Sequence, residues 1–380
     1  MALVAAGVLP GFLVASLAPR IRDDFAFADS TLGVAVAVFY VVSALTSSPA
    51  GRHVERVGPV RGMRLAAALT VVSCLAAAAL AESAVSLTGL LLLSALANAI
   101  AGPAVSALLK QRLSPERHGL GFGAQQAAAP LGALLAGLAL PLVAIPLGWR
   151  WAFVATGLLA FLAVVLGPAA AAAPLPSERS VRGRRPRSVY ALALAAALAS
   201  AAGVGLVSFL VLYSVENGMS ETGAGLLLGA VSLSAALSRV VLGAVADRRG
   251  HDPLRPVAAM LLVSVAAYGL LIVGAPAAIA LGAVLAGGLG WAWPGALNLA
   301  VVQRSPDAPA WAVGIMMAGL FAGAVAGPLV VGLLAERELF SAAWLTCAGF
   351  SLLAALTVAA VIAAGNREAA SGTRRPIRSR

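Results

Sequence analysis

The sequence predicts an all-α membrane protein of twelve transmembrane helices, arranged as two six-helix halves in parallel repeat. Three observations predict it. The 380-residue chain is 61% hydrophobic and 11% charged, more apolar surface than a soluble domain buries. The apolar content comes in runs long enough to cross roughly 30 Å of hydrocarbon, which takes about 20 helical residues. One short motif is also written twice, as Gly51-Arg52-His53-Val54-Glu55-Arg56-Val57-Gly58 and as Gly243-Ala244-Val245-Ala246-Asp247-Arg248-Arg249-Gly250, at an offset of 192 residues. Ser114-Pro115-Glu116 recurs as Ser305-Pro306-Asp307, and Pro103 as Pro294, both at an offset of 191. Such duplication is a signature of secondary transporters.

The spans run, in order, over 2–19, 31–50, 63–81, 87–109, 120–142, 150–173, 190–212, 223–245, 256–274, 278–302, 310–334 and 341–364. They read as helices because barrel strands would alternate polar and apolar residues. Pro10 and Gly11 divide the first span near its middle, which predicts a bend there. The longest interruption divides the chain into an N-terminal half at 1–173, a basic cytosolic linker at 174–189, a C-terminal half at 190–364 and a basic cytosolic tail at 365–380.

Orientation follows from the basic residues. Of the 26 Lys and Arg, 21 fall in the segments that alternate onto one side, which places both termini in the cytosol. The net charge of +11 is therefore read as topology and as attraction to anionic lipid headgroups, not as a nucleic-acid site. Few lysines among abundant Ala, Arg and Gly suggest a GC-rich genome and hence a bacterial inner membrane.

The doubled motif, with Gly148-Trp149-Arg150-Trp151-Ala152-Phe153 ahead of the sixth span, resembles the major facilitator superfamily over essentially the whole chain. The resemblance implies that family's fold and transport by alternating access. It also implies that the two motif copies form a conformational latch, with Gly51, Glu55, Arg56, Gly58 and Arg61 in one half and Gly243, Asp247, Arg248, Gly250 and Arg255 in the other. The residue types suit that role: Gly51 and Gly243 permit close backbone approach, and Gly58 and Gly250 can take φ > 0. The acids can meet the positive end of a neighbouring helix, and the arginines stay at headgroup level. Glu55 stands where the family most often has Asp, which predicts a first-half latch that is weaker or differently timed than the second-half one. A plain topology-determining turn is the alternative reading of both copies.

The fifteen Asp and Glu all fall in predicted loops or at helix ends, so no buried proton carrier is evident. Ala129-Pro130-Leu131-Gly132 matches only in part the fifth-helix pattern of the family's exporters. Arg239 lies one turn inside Gly243, either as an anion-binding or gating charge or as a cation that reaches the interface or joins the nearby latch. Asn98, Gln125, Gln126 and Asn298 are amides within spans, and Trp291 and Trp293 flank Pro294. All seven are candidates for a substrate cavity, which the resemblance places between the first, fourth, seventh and tenth helices. Hydrogen bonding between helices and core packing are the alternatives. Tyr213 and Trp311 read as interfacial belt residues. Cys74 and Cys347 lie in different halves and suggest neither a disulfide nor a metal pair.

The chain carries no nucleotide loop, zinc motif or nucleophile elbow, so neither an enzyme nor a cofactor is expected. The expectation is a non-ATP secondary transporter, a monomer, carrying a small neutral or anionic organic molecule with or without a coupling proton or sodium ion. A proton-coupled exporter of toxic compounds and a transporter-like receptor without significant flux are the alternatives.

Overall fold

The computed structural model describes residues 2–25, 29–165, 186–249 and 252–370. Most of the linker, Gly250 and the end of the basic tail lie outside the described residues. Those described are almost wholly helical. Nine helices among them are long and apolar enough to cross a membrane; of the other three spans, the fifth is assembled from shorter pieces, and the first and sixth are built on the shorter apolar helices Ala2–Ser16 and Trp149–Val165.

Span 1 is Ala2–Ser16, followed beyond the apolar run by the charged helix Ala18–Phe25, and span 2 is Asp29–Val57. Spans 3 and 4 are Pro59–Leu80 and Ala84–Arg112. Span 5 is His118–Gln126, Ala128–Ala139, a π turn Leu140–Ala144 and Ile145–Leu147, and span 6 is Trp149–Val165. Spans 7 to 9 are Arg187–Glu216, Glu221–Arg249 and Leu254–Ile272. Span 10 is Pro276–Ala283, a π stretch Val284–Gly290 and Pro294–Arg304. Spans 11 and 12 are Pro309–Ala335 and Phe340–Ala370.

Two expectations need correction. Pro10 does not divide span 1, which runs unbroken through it and breaks instead at Leu17. Its position leaves most of the helix's hydrogen-bond ladder intact, and neighbouring helices in a bundle re-satisfy the freed carbonyl. The motif copies are also not loops. Gly51–Val57 forms the last two turns of span 2, and Gly243–Arg249 the end of span 8. No strong helix breaker occurs until Gly58, whose φ of 88° turns the chain, and Pro59 then opens span 3 at the position where its missing N–H costs nothing.

Helix contacts repeat with a shift of six. Span 1 packs on 5 as 7 packs on 11, span 3 on 6 as 9 on 12, and span 2 on 4 as 8 on 10. Across the halves, span 2 meets span 11 as span 8 meets span 5. Small residues set the closest of these approaches. A Cβ on Gly319, Gly323 or Gly327 of span 11 would run into the carbonyls of Ala193, Ala197 and Ala201 on span 7, so the two backbones touch directly.

The hydrophobic core is divided unequally along the membrane normal. Away from the motif, each half keeps its own core. One gathers Leu13, Leu17, Cys74, Leu87 and Phe153, the other Leu206, Leu210, Tyr268, Leu271 and Trp344. Near the motif the cores merge: Phe122 of span 5 joins Leu192, Trp293 and Trp311, and Ala310 of span 11 joins Val54 and Ala104. The halves are thus closed on each other at the motif end.

Candidate functional site

Spans 5 and 11 begin without a capping side chain of their own. Arg117 precedes the first and Ala308 the second, and neither supplies a side-chain acceptor, although the first N–H groups of any helix need one. The missing acceptors come from the opposite half. Asp247 Oδ1 accepts from Gly119 N at 2.5 Å and its Oδ2 from Leu120 N at 2.7 Å. Glu55 Oε1 accepts from Ala310 N at 2.5 Å and from Trp311 N at 3.2 Å. A carboxylate at a helix N-terminus also meets the positive end of the macrodipole. Each half therefore holds the start of a helix in the other.

Glycines bring the backbones close enough for this. A side chain on Gly243 would strike the Gly119 carbonyl, and one on Gly51 the Ala310 carbonyl. Gly314 is as tight against Ser47, and Gly295 against Gly123. Lys110 Nζ adds a further tie across the seam, donating to Pro306 O at 2.6 Å. The motif arginines Arg56, Arg61, Arg248 and Arg255 are exposed, whereas Glu55 is 5% exposed and its Oε2 is buried without a hydrogen-bond partner.

One layer deeper, the polar candidates separate into groups. Gln125 Nε2 donates to Ser106 Oγ at 2.9 Å and to Gly102 O at 3.1 Å, and Asn298 Nδ2 donates to Ser106 Oγ at 3.1 Å. Gln125, Ser106 and Asn298 thus form one buried network joining spans 4, 5 and 10 across the halves. Asn98 lies outside it and donates to Ser43 Oγ on span 2 at 3.4 Å, within its own half. Trp293 is packed in the core, leaving Trp291 as the half-buried member of the pair. Tyr213 and Trp311 are buried, which corrects their reading as belt residues. Tyr213 donates its hydroxyl to Leu271 O, and Trp311 lies under the Glu55 contact.

Arg239 does not reach the interface. It is 4% exposed, with Nη1 donating to Gln126 O at 2.7 Å and Nη2 to Trp291 O at 3.2 Å, and its guanidinium carbon lies 5.2 Å from the Trp291 ring centroid. Both carbonyls stand at helix breaks: Gln126 ends the first helix of span 5, and Trp291 follows the π stretch of span 10. The side chain of Gln126 is buried beside this contact.

At the opposite end Asp24 ties span 1 to span 6. Its Oδ2 accepts from Trp149 Nε1 at 2.8 Å and from Arg150 Nη1 at 2.7 Å. Arg150 also donates to Ala81 O and lies over the Trp149 ring. The Trp149 hydrogen bond holds the Asp24 carboxyl below its ordinary value; burial opposes it, and the hydrogen bond and charge of Arg150 add to the lowering.

Sequence reasoning found the motif acids and the kind of partner they meet, a helix N-terminus, but not which helices these are. The signal was present: spans 5 and 11 open on Arg117-His118 and Ala308-Pro309, where a capped helix shows Ser, Thr, Asp or Asn. Ser106, at the centre of the amide network, left no signal beyond its polarity.

The family model for the Major Facilitator Superfamily matches residues 2–257 and again 192–379. No curated protein matches the sequence. Among solved structures, the fucose:proton symporter of E. coli superposes with a TM-score of 0.74 at 16% identity, covering 94% of this chain and 97% of that one. The proton:xylose symporter XylE gives 0.76 at 14% identity, with 95% and 94% covered. The human organic anion transporter MFSD10 gives 0.67 at 18%, with 94% and 98% covered. At such identities the likeness is one of fold.

Proposed function

The chain belongs to the major facilitator superfamily, and from that premise we propose that it is a bacterial inner-membrane carrier of a small neutral or anionic organic solute, with both termini in the cytosol. Family and fold support secondary transport by alternating access. The observation that carries the mechanism is the pair of carboxylate clasps. Glu55 on span 11 and Asp247 on span 5 hold the motif end shut through backbone N–H groups, while the halves keep separate cores at the other end. Rocking about the midplane breaks the clasps and exposes a central site to the opposite side.

The solute class rests on the lining. Amides, a half-buried tryptophan and one buried arginine gather one layer deeper than the clasps, and among the described residues the one buried carboxylate is Glu55, which is spent in a clasp. The relatives named as sugar and organic anion carriers accord with this class. Coupling is tested with the same experiment as flux: uptake and efflux in proteoliposomes, with and without a pH gradient, across organic acids, sugars and cationic drugs. The expected result is flux of an acid or neutral solute. Gradient-driven efflux of cationic drugs would replace this reading with the exporter, and binding without flux with a receptor.

A further inference from the structure

Arg239 carries a positive charge into the seam between the halves, about 6 Å toward the motif end from the middle of span 8. Among the described residues no carboxylate lies within ion-pair distance of it. Its hydrogen-bond partners are neutral carbonyls, Gln126 O from one half and Trp291 O from the other, with the Trp291 ring beside the guanidinium. Carbonyl dipoles make this burial tolerable without neutralising the charge. An ionisable side chain at this depth, without a counter-charge, is a functional group by default.

The two carbonyls belong to opposite halves, so they cannot both stay when the halves move. Opening the motif end parts span 5 from span 8 and removes Gln126 O, the shorter of the contacts. Trp291 O travels with the guanidinium, because spans 8 and 10 pack within one half. The forked face that Gln126 filled is then open beside a half-buried indole. Both halves contribute a broken helix here, as carrier sites near the midplane commonly do.

We propose that Arg239 is a substrate-binding residue and that its ligand is a small organic monocarboxylate. The carboxylate takes the place of the Gln126 carbonyl on the guanidinium, and the organic body lies along Trp291. Two properties select the class. The planar fork matches a carboxylate with two parallel hydrogen bonds. A single guanidinium compensates a single negative charge, so a dianionic phosphate would leave excess charge buried. This inference rests on the transport reading for its second state, but binding and flux can be measured apart.

The test uses purified full-length protein and matched acid and amide probes: butyrate with butyramide, benzoate with benzamide, and phenylacetate with phenylacetamide. Thermal shift and direct binding are measured for the wild type, Arg239→Lys and Arg239→Gln. At least one acid should stabilise the wild type where its amide does not. Arg239→Gln should weaken that acid by about 100-fold, the scale of truncating a buried charged pair, and bring the affinities of acid and amide together. Arg239→Lys should keep the preference for the acid with weaker binding, since a point charge replaces the fork.

The wild-type comparison stands even if a variant does not fold. If no acid outperforms its amide in the wild type, or if Arg239→Gln retains the preference, the proposal is overturned and Arg239 is a pin between two helix breaks. Acid binding that depends on Arg239 without flux in proteoliposomes would uphold this site and overturn the carrier reading. Flux indifferent to Arg239 would do the reverse.

Discussion

Asp247 and Glu55 occupy equivalent places in the repeat, yet their surroundings differ. Asp247 spends both oxygens on two backbone N–H groups and is partly open to solvent. Glu55 reaches further, uses Oε1 for both of its contacts and leaves Oε2 buried and unpartnered. A charge at a helix N-terminus contributes about 1 kcal/mol, and a buried unsatisfied oxygen costs a similar amount. Asp247→Asn should therefore shift the equilibrium toward the motif-open state about fivefold, read as faster labelling of a cysteine placed at Ser47 in a background lacking Cys74 and Cys347. Glu55→Gln should shift it less, because the amide keeps an acceptor for Ala310 N and takes the charge off the unpartnered Oε2. Equal labelling in Asp247→Asn and its parent would mean that the Asp247 clasp does not hold the halves. The acids were legible in the sequence because they repeat. Their partners were not, because they lie 128 and 255 residues away in the chain, and a backbone N–H carries no residue identity to read.

Helices were legible as runs of apolar residues, and their ends were not. Span 2 continues seven residues beyond its expected limit, since Arg, His and Glu form helix as readily as they form a loop. The breaks in spans 5 and 10 are harder to read for another reason: Pro130 and Pro294, which lack the N–H that would bond Gln126 O and Gly290 O, sit inside apolar runs long enough to pass for single helices. Two glycines allow packing within a half to be separated from packing between halves. Gly323→Val drives a side chain into the Ala197 carbonyl inside the C-terminal half and should lower Tm and yield in every state. Gly243→Ala meets the Gly119 carbonyl across the seam and should leave Tm nearly unchanged while raising labelling at the motif end. Gly269→Ala, which meets nothing within 4 Å, is the control. If Gly243→Ala lowers Tm as much as Gly323→Val, the seam is part of the rigid fold and not a moving contact.

The Asp24 contact acts on the element scale too, by joining span 1 to the start of span 6. Its carboxyl is held below the ordinary value in the fold, so the contact contributes fully above the unfolded value near 4 and is lost as pH falls through the lower folded one. Asp24→Asn should reduce Tm at pH 7, and the difference from wild type should close only below about pH 4. A difference that persists unchanged at pH 3 would assign the effect to packing.

Across the whole molecule, the repeat offset predicted what the contacts show, that spans 1 to 6 and 7 to 12 pack by the same plan. What the offset could not convey is the state. Closure depends on which residues of one half meet the other, and two halves related by sequence can meet at either end. The merged cores near Phe122 and Ala310 decide it. The clasps have a further consequence. Each pairs a motif acid with the first turn of a helix in the other half, once in each direction, which is the contact that two identical six-helix chains would make about a two-fold axis. A self-complementary surface of that kind needs no linker to specify it. The bundle can thus be regarded as a dimer made permanent by gene fusion, in which a new side chain on one motif copy, free to diverge from its twin, makes the closed state asymmetric without unmaking the interface.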